Sequence, residues 1–173
     1  YTFTSSDFIA GTLTIKAKAT TGDEETQITV NSEVIDEGDA TPEFGVSYGS
    51  TLTGHPVLTN SDFTFDGADT IPTAVGTYVI NLNQAGKQKV RDANSNYSLS
   101  DTDFISGNFI IQSVSKDPDG GVTRTQVDGS GAITQITKDW PDGDKTVVDI
   151  STDTNTARVT ETPKGEPNLP SVT

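Results

Sequence analysis

The sequence predicts a mainly β fold with a single short helix, and three observations carry this reading. Residues 76–82 (GTYVINL) alternate apolar and polar side chains, and an amphipathic helical stretch follows at once at 84–94. From about residue 112, turn-forming clusters recur at short intervals between β-prone runs. Residues 1–15 (YTFTSSDFIAGTLTI) are also a diverged copy of residues 97–111 (YSLSDTDFISGNFII), 96 positions away without a gap. Six of the fifteen pairs are identical, Asp7/Asp103, Phe8/Phe104 and Ile15/Ile111 among them. Such a match marks a tandem array.

Residues 11–19 (GTLTIKAKA) alternate strictly, so Leu13, Ile15, Ala17 and Ala19 are expected to face one way and Lys16 and Lys18 the other. TTGDEE (20–25) reads as a turn, and Ile28 and Val30 open a strand. Phe44, Val46 and Tyr48 share a face, and SDFTFDG (61–67) is a short strand. In 76–82, Tyr78, Ile80 and Leu82 point inward. Asn83 is placed to cap the helix, whose apolar stripe is Gly86, Val90 and Ala93. Gln84, Lys87, Gln88 and Arg91 form its wet face, and Asn94 and Asn96 are suited to end it in a left-handed conformation. SGNFIIQSV (106–114) is the closing strand.

Turn signals then follow at DPDGG (117–121), VDGSG (127–131), DWPDGD (139–144) and STDTNT (151–156). The runs between them predict a β-meander with a sparse core of Val122, Ile133, Ile136, Trp140, Val147, Val148, Ile150 and Val159. The organisation expected is therefore tail strands of an earlier unit at 1–19, a complete repeat at 20–112, a meander module at 113–161 and a Pro-containing linker at 162–173.

Composition narrows the function. Apolar residues are only 31% of 173, which suits short strands, polar turns and thin cores. The net charge of −14 argues against nucleic acid and against anionic membrane surfaces. No run approaches 18 apolar residues, so membrane insertion is not expected. Without cysteine there is no disulfide and no thiolate nucleophile.

The ordered set Tyr48-Gly49, GTYVINL, AGKQKVRDANSNYSL and FISGNFII resembles the MBG-type, mucus-binding repeats of Gram-positive, lactobacillus-like cell-surface adhesins. Tyr48-Gly49 matches the YG element, and Gly76, Tyr78 and Ile80 match the GxYxI strand. Ala93, Asn94, Asn96 and Tyr97 match the helix end, and Gly107 and Ile111 the closing strand. The resemblance implies a ubiquitin-like β-grasp repeat with one helix over a mixed sheet, followed by a β-meander module of the mucus-binding type. It implies an extracellular, cell-wall-attached protein that adheres to host mucin glycoproteins or glycans without enzymatic activity or cofactor. The alternatives are a non-binding stalk and an accessory module of a secreted carbohydrate-active enzyme. The chain is expected to be monomeric, or weakly paired through its N-terminal strands.

No residue set points to catalysis. His55, the only histidine, sits in a polar loop beside Pro56, and no local signature selects two of the 25 acids as a hydrolytic pair. Asp117, Asp119, Asp142 and Asp144 offer calcium-type oxygens at short spacing, but Asp-Gly is also what hairpin turns need, and no metal is expected. A Lys–Asn isopeptide bond needs a buried lysine, whereas Lys16, Lys18, Lys87 and Lys89 are expected on polar faces. Trp140, the only tryptophan, and Tyr48 remain as candidate ligand contacts, each also readable as structural.

Overall fold

A computed structural model describes residues 14–20, 22–151 and 153–164. It is mainly β, and its one α-helix lies where the sequence places it. In order the elements are β1 (Lys18–Ala19), β2 (Ile28–Val30), β3 (Glu33–Asp36), β4 (Val46–Tyr48), β5 (Phe63–Phe65), β6 (Gly76–Leu82) and α1 (Gln84–Ala93). Then come β7 (Tyr97–Ser98), β8 (Phe104–Ile105), β9 (Gly107–Lys116), β10 (Val122–Val127), β11 (Ile133–Asp139), β12 (Lys145–Ser151) and β13 (Thr156–Thr162). Short 3-10 turns, Asn60–Asp62 and Asp101–Asp103, lead into β5 and β8.

The main sheet is ordered β13-β12-β11-β10-β9-β6-β5, and β3 adds parallel to β9. A second sheet, β4-β2-β8, covers part of the core, and β1 pairs parallel with β7. Among the described residues, every fully buried large apolar side chain lies between Ile28 and Ile111. Phe44, Phe63, Phe65 and Phe109 form its aromatic centre, with edge-on ring pairs at 5.0 and 5.1 Å around Phe44. Each such side chain contributes about 1.5–3 kcal/mol by leaving water.

The helix is capped as expected, with Gly86 N donating to Asn83 Oδ1 at 2.9 Å. Gly86 and Val90 are buried, but Ala93 is exposed. Its expected place is taken by Asn94, whose amide donates to Val90 O and Gly54 O while its Oδ1 accepts from Gly54 N. Neither Asn94 nor Asn96 is left-handed; Asn94 has φ −124° and ends the helix through its side chain instead. Lys87 and Arg91 are not simply wet, because both lie over the Phe104 ring and reach Asp101.

Of the described part of the expected strand at 11–19, residues 14–17 are not in a strand and Lys18–Ala19 pairs with Tyr97–Ser98. Ile15 is 86% exposed, whereas its counterpart Ile111 is 2% exposed within the main sheet. Leu13 and the rest of 1–13 lie outside the described residues, as do 165–173 of the proline-containing tail. β3 is a strand that the sequence pattern does not mark: EVID has no clean alternation, and its register comes from pairing with Phe109–Gln112 of β9.

The meander forms at the expected runs. Its first three loops share one geometry: residue i donates to the carbonyl of i+4, and a glycine at i+3 with positive φ donates back to i. These loops are Asp117–Gly121, Asp128–Ala132 and Trp140–Asp144, with Gly120, Gly131 and Gly143 at φ 86°, 85° and 96°. This is the three-residue hairpin whose left-handed position favours glycine. The expected meander core does not close: among residues 113–164 of the described chain, none of its apolar side chains is fully buried. Both faces of this single layer meet solvent. Strand β9 runs unbroken past residue 112 and pairs with β3 and β6 through 107–112 and with β10 through 113–116.

Candidate functional site

Trp140 and Tyr48 occupy different parts of the chain. Tyr48 ends β4 with its ring stacked on His55, at 4.3 Å between centroids and 13° between planes. Burial pushes the Tyr48 phenol above its ordinary pKa of 10, and its buried hydroxyl has no hydrogen-bond partner among the described residues. The His55 Nε2 lies 3.0 Å from Leu52 O. Tyr48 is partly buried, while the His55 ring stacked on it is exposed.

Trp140 is presented. It opens the β11–β12 hairpin and is 40% exposed. Registers Lys138↔Thr146 and Thr146↔Glu161 put three side chains on one face of the meander beside it. The indole Nε1 donates to Thr146 Oγ1 at 3.1 Å, which fixes the ring plane. Lys138 Nζ sits 3.9 Å from the ring centroid, a cation–π contact. Asp119 and Asp117 hold that ammonium at 2.7 and 3.1 Å, and they raise the Lys138 pKa.

The ring borders a half-open cleft of about 320 Å³, lined also by Asp142, Asp144, Lys145, Thr146, Glu161, Thr162 and Pro163. A glycine with positive φ turns the chain at Gly143, and Asp144 N closes onto Asp142 Oδ1 at 3.0 Å. The cleft thus combines a fixed aromatic edge with hydroxyl and carboxylate groups. Such a surface can bind a small polar ligand through stacking and hydrogen bonds.

The four aspartates weighed as calcium ligands serve other partners. Asp117 accepts from Thr123 Oγ1 and Asp119 from Gly121 N, and both pair with Lys138. Asp142 and Asp144 accept backbone N–H groups from Asp144 and Lys164. Among the described residues no group of three metal-binding side chains converges.

Lys89 does reach a buried carboxyl, Asp62, at 2.8 Å. Burial alone would raise the Asp62 pKa, but hydrogen bonds from Lys89 and Thr59 outweigh it and hold the group below its ordinary value. It is therefore a carboxylate acceptor. Alternation along β11 and β12 would have found the Lys138–Thr146–Glu161 row, given the register. The register itself depends on hairpin length, which the turn motif fixes.

The fold is a mainly β module with one helix and a surface cleft bordered by Trp140. A family model for the MBG domain matches residues 16–113, and the chain belongs to that family as an adhesin-type repeat. It is also 31% identical to a solved cell surface adhesin from Lactobacillus reuteri, across 53% of this chain and 100% of that one. The superposition has a TM-score of 0.40. No curated protein sequence gives a significant match. No helix among the described residues is long and apolar enough to cross a membrane.

Proposed function

We propose that the chain is an extracellular, wall-attached adhesion module that binds host mucus glycoproteins through their glycans, without catalysis. The observation that carries this is the half-exposed Trp140 at the edge of a polar cleft, in a chain of the MBG family. Residues 20–112 act in this reading as the repeat and 113–161 as the module that presents the cleft. A single shallow site gives weak binding, because little apolar area is available to offset the entropy lost on association.

The test is retention of the whole chain on immobilised mucin. Trp140→Ala should lower retention several-fold while leaving the melting temperature within a few degrees. Unchanged retention would remove the cleft from the reading.

A second reading, a stalk, is supported by Arg124. Its guanidinium bonds both Asp36 oxygens at 3.0 Å on the repeat side and Asp139 on the meander side. Such a clamp suits a module that holds something else at a distance. Absence of retention on mucin of any composition would favour it.

A further inference from the structure

We infer that the Trp140 cleft selects uncharged pyranose residues and discriminates against sialylated or sulfated ones. This rests on the reading of the cleft as the ligand site and goes beyond it to the ligand's chemical class.

Charge is the first ground. Three carboxylates, Asp142, Asp144 and Glu161, line the cleft against one ammonium, Lys145. That ammonium is already within 3.9 Å of Asp139. Of the other nearby cations, Lys138 lies over the Trp140 ring and is held by Asp117 and Asp119, and Lys164 packs its side chain beside Gly143, so the three carboxylates still outnumber the two ammonium groups, Lys145 and Lys164, at the cleft. An incoming carboxylate or sulfate would face net negative charge in a half-enclosed space, where screening is weaker than in bulk water.

Shape and hydrogen-bonding character are the second ground. A neutral pyranose has an apolar C–H face that suits the indole, and a rim of hydroxyl donors. Carboxylates are acceptors only, so Asp142, Asp144 and Glu161 match those donors. The indole N–H is already engaged by Thr146 Oγ1 and one ring face lies under Lys138, so the ring offers a sugar its other, apolar face rather than a donor. A cationic peptide would satisfy the charge but would leave the hydroxyl-matching groups unused.

Trp140 is the only tryptophan, so intrinsic fluorescence reports on this cleft directly. The whole chain is titrated with N-acetyllactosamine and with its 3′-sialylated form at low salt. A saturable response to the neutral sugar is expected, with the sialylated sugar weaker by about threefold or more. That gap should narrow at 0.5 M NaCl, by screening at about a 4–5 Å Debye length. Asp142→Asn with Glu161→Gln keeps acceptors but removes two charges, and should also narrow the gap.

Equal or tighter binding of the sialylated sugar at low salt would overturn the ligand class while leaving the cleft as the site. A response to oligolysine but to neither sugar would overturn the sugar assignment. No fluorescence response to either sugar, together with mucin retention that survives Trp140→Ala, would overturn both this inference and the cleft reading.

Discussion

Asp103 is the residue on which the N-terminal segment closes. It is 0% exposed and accepts from Ser100 N and Oγ, from Thr20 Oγ1 and from Gly22 N. Burial would raise its pKa, but these donors outweigh it and the net shift is downward. A depressed folded-state value means the carboxylate contributes stability that is fully present above about pH 4, the unfolded value. That contribution is lost as pH falls through the lower folded value. Asp103→Asn should therefore cost about 2 kcal/mol in urea unfolding at pH 7, because it exchanges charge-assisted bonds for weaker ones and strands a donor. The gap from wild type should shrink toward pH 2–3, and a gap independent of pH would show that the charge is not what matters. The sequence shows Asp7 and Asp103 as identical partners between copies. It could not show why, because two of the donors to Asp103 lie more than 80 residues away.

At the scale of elements, α1 and the hairpins were legible because their determinants are local. Asn83 caps within three residues, and each Asp-Gly or Ser-Gly loop carries its glycine at the one position that needs positive φ. What was not legible depends on distant partners. β3 borrows its register from β9, and the wet face assigned to Lys87 and Arg91 is covered by Phe104. Gly86 illustrates the difference. By helix propensity alone, Gly86→Ala should stabilise by up to about 1 kcal/mol. Yet a Cβ there would stand 2.6 Å from Asp62 O and 2.9 Å from a Leu82 methyl, so the helix could no longer sit against the Asn60–Asp62 turn. We expect destabilisation of about 1–3 kcal/mol, of the size seen for overpacking. A urea midpoint that rises in Gly86→Ala would show that the helix can shift away at little cost.

At the scale of the whole molecule, the core is confined to one part of the chain and the cleft to another. Among the described residues the meander buries no apolar side chain fully, so its order rests on the hydrogen bonds of β9–β10, the fixed hairpin loops and the Arg124 clamp. Trp140 was legible as a candidate because it is the only tryptophan and sits in a turn with Asp142 and Asp144, but Glu161 reaches the cleft only through the register of β12 with β13. The internal copy at 96 residues adds a further consequence. The repeated stretch does not include Trp140, so copies of the whole chain are needed to multiply the cleft; linked sites then raise avidity by about 10²–10⁴ without new contacts when geometry permits simultaneous engagement. A net charge of −14 per chain works against approach to sialylated, sulfated mucin. Three linked copies should accordingly reach half-maximal retention on immobilised mucin at a concentration at least tenfold below that of one copy, and both should gain when salt screens the repulsion. Equal half-maximal concentrations for one and three copies would mean that the array supplies reach rather than valency.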